Sequence, residues 1–138
     1  MSCIEYLGAE LIDGDLKRLK SYPSLGKDIE NSFNIWKNLF SKYQQTTDNQ
    51  VYHDSNFIYG FEAKIGISCF RRSRQEGARL WYALLKGKGK LFYLPVILFD
   101  CREEKDFKKH ICLGIFKERV DSFRDGSLCC PDEFKSKR

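Results

Sequence analysis

The sequence predicts an α+β fold in which helices pack on a small, twisted, mostly antiparallel sheet. Between residues 25 and 43, apolar residues recur at steps of three and four, as on one side of a helix, whereas from residue 61 they alternate with polar residues, as in a strand. With 138 residues, 42% of them hydrophobic, the chain can bury a core of its own. We expect the helices on one face of the sheet and an open second face.

The N-terminal half is predicted to hold one short strand and two helices. Residues 3–7 can form the strand, which would make the otherwise antiparallel sheet a mixed one. Asp13 can cap a brief first helix. Pro23 ends this helix, and Ser24 can cap the second. The apolar stripe of the second helix comprises Leu25, Ile29, Phe33, Trp36, Phe40 and Tyr43. Residues 44–56 are polar and lack periodicity, so we expect an exposed loop there.

Three sequential antiparallel strands are predicted next. Residues 61–69 alternate between apolar and polar, and residues 78–85 form a second apolar strand. The KGKGK stretch at 86–90 is typical of a hairpin turn, because glycine tolerates a positive φ. Residues 91–99 form a central strand, in which Pro95 indicates an edge or a bulge because proline cannot donate a ladder hydrogen bond.

A final helix is expected from Asp106, a residue type that often caps helices. Its inward side would comprise Phe107, Ile111, Ile115 and Phe116. Because residues 121–138 contain few apolar side chains, we expect one domain over residues 1–120 and a loosely ordered tail over 121–138. No apolar stretch approaches the roughly 20 residues that span a bilayer, and the N-terminus lacks the features of a secretory signal. We therefore expect a cytoplasmic protein without a membrane partner.

The six cysteines do not form a recognisable disulfide or metal framework. They contain neither a CxxC pair nor a repeated spacing, and in a reducing compartment cysteine behaves as a small buried hydrophobe. A zinc site assembled from Cys101, His110, Cys112 and the Cys129–Cys130 pair is the less favoured alternative. We expect neither a metal nor any other cofactor.

Positive charge is concentrated between residues 64 and 110. This segment contains twelve lysines and arginines and five acidic residues, a net charge of +7, whereas the whole chain carries +5. Such an uneven distribution indicates a directed electrostatic surface. Three of the arginines, Arg71, Arg72 and Arg74, stand directly before an apolar strand. We expect them to contact the phosphates of RNA, although a solvated loop is the alternative.

Three segments resemble the RelE/HigB-like toxins of bacterial toxin–antitoxin systems. DLKRLKSYPSLGKDI at 15–29 is similar to the family's first helix and the turn after it. KIGISCFRRSRQEGARLWYALL at 64–85 is similar to its second and third strands and contains the typical glycine–x–arginine–apolar–apolar–tyrosine core at 77–82. LPVILFDCREEKDF at 94–107 is similar to its last strand. The resemblance depends on the order and spacing of these segments and predicts a RelE-like toxin domain over residues 1–120.

The resemblance implies an mRNA interferase, an endoribonuclease that binds mRNA on a sheet face, commonly in the ribosomal A site. It also implies a cognate antitoxin that covers that face. Carried over by position, Arg79 matches the family's sheet arginine, Lys64 a basic strand residue and Arg102 a basic residue after the last strand. The C-terminal aromatic or histidine of several members has no clear counterpart, and His110 is only a loose substitute.

Metal-independent RNA cleavage requires an activated 2′-hydroxyl, cations for the transition-state charge and a proton for the leaving 5′-oxygen. We assign phosphate binding to Arg79 and Arg102, because a guanidinium engages two phosphate oxygens. Lys64 is the candidate base, since neighbouring arginines disfavour its charged form. Further acid–base candidates are Tyr82, His110 and Glu62. Additional RNA contacts are expected from Arg71, Arg72, Arg74, Lys86, Lys88 and Lys105.

Several alternatives remain open from the sequence. Arg79 could instead form an ion pair with Glu62 or Asp100, Lys64 could simply face solvent, and Tyr82 is more often a core residue than an acid. At the level of function, a non-catalytic protein of the same fold could bind RNA or another protein without cutting. A different class, an interaction module, would use the open sheet face to dock a helix of a partner.

Overall fold

A computed structural model of the chain describes residues 3–43, 46–55, 58–66, 77–87 and 89–136. The fold is α+β, as predicted. The helices and strands, in chain order, are β1 (Cys3–Tyr6), α1 (Asp13–Arg18), α2 (Leu25–Tyr43), β2 (Asn49–Asp54), β3 (Ile58–Gly66), β4 (Gly77–Gly87), β5 (Lys90–Asp100) and α3 (Lys109–Gly126). Short 3₁₀ turns lie at Glu10–Ile12, Cys101–Glu103 and Asp132–Phe134. Within the described ranges, no helix has the length and hydropathy needed to cross a membrane.

The strands form one mixed sheet in the order β1-β5-β4-β3-β2. β1 runs parallel to β5, whereas the other neighbours are antiparallel. The predicted irregularity at Pro95 is confirmed: Trp81 pairs with Ile97 but Tyr82 pairs with Pro95, so β5 carries one extra residue there. Pro95 also lies beyond Tyr93, the last β5 residue that pairs with β1, so its missing N–H costs no bond to that strand.

The sheet has helices on both faces, so the expectation of an open second face is wrong. On one face, called the α2 face, the core contains Trp36 of α2 together with Tyr82 and Tyr93 of the sheet. On the other, called the α3 face, Phe116 of α3 packs with Trp81 of β4. Adjacent strand residues point to opposite faces, and because β4 and β5 are apolar on both, each face needs its own helix.

β2 was not predicted. Its residues, Asn49–Asp54, fall within the stretch 44–56 that was expected to be an exposed loop, but they pair with β3 at the edge of the sheet. Every side chain of β2 is exposed or half-buried, so the strand lacks the apolar alternation that marks a buried one.

The expectation for α3 is wrong at both ends. Its N-cap is Lys108 and not Asp106, and its buried side comprises Cys112, Phe116, Val120 and Phe123. Ile111 is 37% exposed. The helix continues to Gly126, and beyond it Cys130 and Phe134 are buried, Phe134 edge-on to Phe92 with ring centroids 5.4 Å apart. Residues 121–136 are therefore part of the packed fold, because their few apolar side chains continue the stripe that covers the α3 face.

A cluster of charged side chains replaces a strand at the edge of β5. β1 pairs only with Lys90–Tyr93, and beyond it the Oδ2 of Asp15 accepts the N–H of Leu98 at 3.0 Å. Arg18 donates to the carbonyl of Leu98 at 2.9 Å, and Arg119 donates to that of Val96 at 2.8 Å. These side chains satisfy backbone groups that would otherwise form an unpaired sheet edge.

Asp15 is the centre of this cluster. It is 2% exposed and pairs with Arg18 at 2.8 Å and with Arg119 at 2.6 Å. Because Asp15 and Arg18 belong to α1 and Arg119 belongs to α3, the cluster connects elements from both sides of the sheet. Arg18 also bonds Glu103 at 2.9 Å, which connects the cluster to the turn after β5.

We predict that Asp15→Ala lowers the free energy of unfolding by about 3–5 kcal/mol, because two guanidinium groups and the Leu98 N–H lose their shared acceptor. Urea denaturation followed by circular dichroism measures the change. The matched control is Asp13→Ala: its ion pair with Lys17 is exposed on both sides, so the loss should stay below about 1 kcal/mol. Equal effects of the two substitutions would contradict the central position of Asp15.

Candidate nucleic-acid interface

Lys64 and Arg79 lie side by side on the α3 face of the sheet. In the register of β3 and β4 they are direct partners, and the next pair on the same face is Glu62 and Trp81. Trp81 is buried under α3, and its Nε1 donates to Oε2 of Glu62 at 2.8 Å. Strand alternation therefore places Glu62, Lys64 and Arg79 on one face. Lys64 is exposed and Arg79 is half-buried.

Neither cation is neutralised by a carboxylate within the described residues. The two acids considered as partners of Arg79 are engaged elsewhere, since Glu62 accepts from Trp81 and Asp100 pairs with Arg102 at 3.1 Å. Within the described part of the chain, the one hydrogen bond of the Arg79 side chain is a long one, 3.4 Å, to the carbonyl of Ala78. We call Lys64 and Arg79 the cationic pair, and no described carboxylate would have to be displaced for this pair to receive an anion.

A recess of about 420 Å³ lies where α3 begins, and its lining includes Glu62 and Trp81, the residue pair next to the cationic pair in the register of β3 and β4, but neither Lys64 nor Arg79. We call it the α3 recess. Its lining comprises Asn49, Gln50, Val51, Glu62, Trp81, Phe107 and Lys109. Trp81 is only 2% exposed, and the ring of Phe107 is stacked on Phe99 with centroids 4.9 Å apart. Neither ring is thus a free stacking platform, and the lining offers mainly a carboxylate, two amides and an ammonium group.

Arg102 does not join the cationic pair, and the expected convergence of Lys64, Arg79 and Arg102 is wrong on this point. Its guanidinium bonds Asp100 and lies 5.5 Å from the ring centroid of Tyr22. Tyr22 belongs to the core of the α2 face. The physical reason is local: Arg102 follows the capping residue Asp100 by two positions, so the nearest carboxylate captures it.

Tyr82 is a core residue, and its expected role as an acid or base is wrong. The ring is fully buried on the α2 face, 4.2 Å from that of Tyr93, and its hydroxyl donates to Asp48 at 2.7 Å. Burial, the main cause, and the neighbouring Asp48 carboxylate raise the pKa of Tyr82 well above its usual value. Strand alternation directs its side chain to the face opposite those of Lys64 and Arg79.

Among the described residues, Lys86 is a predicted RNA contact that lies far from the cationic pair. Lys86 lies seven residues along β4 from Arg79, about 23 Å away, with its Nζ over the ring of Tyr59 on the α2 face. Lys105 and His110 are exposed, and neither lines the α3 recess. Four of the predicted contacts lie outside the described residues, namely Arg71, Arg72, Arg74 and Lys88.

Four residues that line the α3 recess are not among the candidates that the sequence indicates, namely Asn49, Gln50, Val51 and Lys109. Asn49 stands on the unpredicted strand β2, and Lys109 was counted only as part of the general positive charge. Glu62 was a secondary acid–base candidate. The alternation of residues 61–69 places Glu62 and Lys64 on the same face, and this is the feature of the sequence that could have raised the rank of Glu62 as a site residue.

The cysteines among the described residues do not gather into a metal site. No group of three or more His, Cys, Asp or Glu side chains within the described ranges could hold a metal ion, so the zinc alternative lacks support. Cys112 is fully buried and its Sγ donates to the carbonyl of Phe107. Burial, with a smaller contribution from the Glu62 carboxylate, raises the pKa of the Cys112 thiol to about 11.

The chain matches no protein-family profile, and neither curated proteins nor solved structures show a significant match to it. The likeness to RelE/HigB-like toxins therefore remains a prediction from the three sequence segments.

We predict that Tyr82→Phe destabilises the protein by roughly 1–3 kcal/mol, because Asp48 loses the hydroxyl that donates to it. RNA binding at temperatures where the variant is folded should equal that of the wild type, since Tyr82 lies on the face opposite the cationic pair. Thermal unfolding and fluorescence anisotropy with a labelled RNA measure the two effects. A stable variant with impaired RNA binding or cleavage would restore a direct role for Tyr82.

Proposed function

We propose that the protein is the toxin component of a toxin–antitoxin system and acts as an mRNA interferase on single-stranded RNA. The observation that carries the proposal is the cationic pair: Lys64 and Arg79 stand opposite each other on one sheet face without a carboxylate partner among the described residues. The three sequence segments that resemble RelE/HigB-like toxins support the same interpretation.

The proposed chemistry uses the pair on one phosphodiester. Arg79 binds the non-bridging oxygens and stabilises the charge that they gain in the transition state. Lys64, when neutral, accepts the proton of the 2′-hydroxyl, whose oxygen forms a bond to phosphorus while the bond to the 5′-oxygen breaks. Water supplies the proton for the leaving 5′-oxygen. The products are a 2′,3′-cyclic phosphate and a 5′-hydroxyl, and no metal is needed for the step.

A cytoplasmic location, a cognate antitoxin and the ribosome as the place of cleavage belong to this proposal through the resemblance. A non-catalytic RNA-binding protein of the same fold is the second candidate. It is favoured by the positions of two acid–base candidates, because Tyr82 is buried in the core of the α2 face and His110 does not line the α3 recess. The interaction module that docks a helix on an open sheet face loses its basis, since α3 covers that face.

We predict that Arg79→Ala lowers the rate of RNA cleavage roughly 100-fold or more, because one donor to the transition state is lost. Lys64→Ala should have a similar effect. Cleavage of a labelled mRNA by the purified protein, alone and with translating ribosomes, measures both. Lys86→Ala is the matched control, since it removes a strand lysine at the far end of the other face and should leave the rate unchanged.

Binding separates the two candidate functions. If both alanine variants weaken RNA binding and reduce its dependence on salt by roughly 0.7 in the slope of log K against log salt, the cationic pair contacts phosphate. Binding of this kind without any cleavage product would favour the non-catalytic protein. Wild-type levels of binding and cleavage in both variants would refute the site altogether.

A further inference from the structure

We propose that the α3 recess selects guanine, at the nucleotide next to the phosphate held by the cationic pair. This inference rests on the proposed function, because it names the base that the same RNA site recognises. The carboxylate of Glu62 would recognise the base, because its orientation is fixed and donors and acceptors surround it.

Glu62 presents a pre-oriented acceptor to the recess. Its Oε2 accepts the Nε1–H of Trp81 at 2.8 Å, and Trp81 is fixed in the core by Phe116. Among the described residues, Oε1 has no hydrogen-bond or ion-pair partner, although Lys109 lines the same recess. An ionised carboxylate can only accept hydrogen bonds, so a ligand in this recess is expected to present N–H groups.

Guanine is the RNA base that fits this arrangement. Its pairing edge carries two adjacent donors, N1–H and the N2 amino group, beside the acceptor O6. A single carboxylate can accept from both donors, while the ammonium group of Lys109 can donate to O6. Uracil presents one N–H between two carbonyls, whereas adenine and cytosine present an amino group next to a ring nitrogen that a carboxylate repels.

The dimensions agree with one nucleotide. Glu62 and Lys64 are two residues apart on the same face of β3, a backbone separation of about 7 Å. The volume of about 420 Å³ lies within the range of roughly 300–1,000 Å³ that is typical of small-molecule sites. A phosphate on the cationic pair can therefore place its neighbouring base in the α3 recess.

The test compares uridine nonamers that differ only at the central position, which is guanosine, adenosine, cytidine, uridine or inosine. Fluorescence anisotropy measures their binding to the full chain. We expect guanosine to bind about tenfold more tightly than uridine, because a good two-bond contact to a base edge discriminates roughly five- to 150-fold. Inosine keeps N1–H and O6 but lacks the amino group, so its affinity should lie between the two.

Glu62→Gln is the discriminating variant. The amide oxygen of glutamine can still accept from Trp81, so the packing of the α3 face is retained, but the remaining amino group repels the donors of guanine. We expect the guanosine preference to disappear while all-uridine binding stays within about twofold of the wild type. The all-uridine oligomer thus reports whether the variant is folded.

Three results would overturn the inference, and each is distinct. Equal wild-type affinity for all five oligomers, with binding that still depends on Lys64 and Arg79, removes guanine selection and leaves the proposed function intact. Loss of cleavage in Glu62→Gln for every sequence, with the binding preference unchanged, makes Glu62 the catalytic base instead. Absence of any binding that depends on Lys64 and Arg79 removes the proposed function and the inference with it.

Discussion

The ion cluster around Asp15 is the constraint on which the rest of the structure depends. β1 is four residues long and leaves the outer edge of β5 without a partner from Pro95 onward. Asp15, Arg18 and Arg119 supply the missing hydrogen bonds. These charged side chains can be buried only when they are paired with one another. Their pairing therefore specifies where α1 and α3 contact the sheet. An apolar substitute could fill the space, but it could not bond the backbone groups of that edge.

This cluster also shapes the candidate site, although it lies outside it. Arg119 fixes α3 against the edge of β5, and Arg18 lies over the ring of Phe107, 5.0 Å from its centroid, while that ring stacks on Phe99. Phe107 is a wall of the α3 recess, and Lys109, two residues later, begins the helix. The position of the recess thus follows from contacts that hold the fold together, so substitutions in the cluster should disturb both the stability of the fold and the shape of the recess.

The sequence was sufficient where one local pattern decided the structure. The apolar stripe predicted α2 and the alternation predicted β3, because one side of each element is buried along most of its length. The same alternation placed the side chains of Glu62 and Lys64 on one face of the sheet. The missed features depend on distant partners. β2 is polar and forms a strand because it pairs with the edge of β3. The sequence position of Arg102 does not indicate that its guanidinium contacts Asp100 and Tyr22.

The coverage of the α3 face limits what the cationic pair can bind. α3 packs over the part of the sheet that holds Ala83 and Leu94, so among the described residues the part of this face that it leaves uncovered is the end that carries Arg79 and Glu62. A rigid duplex presents its phosphates on a regular helical surface and keeps its base edges paired, whereas a single strand can turn one base away from its neighbours. A site that offers two cations and one fixed carboxylate within about 7 Å is therefore suited to one unpaired nucleotide. Specificity at such a site must come from hydrogen bonds to the base edge, because neither Trp81 nor Phe107 leaves a ring face free for stacking.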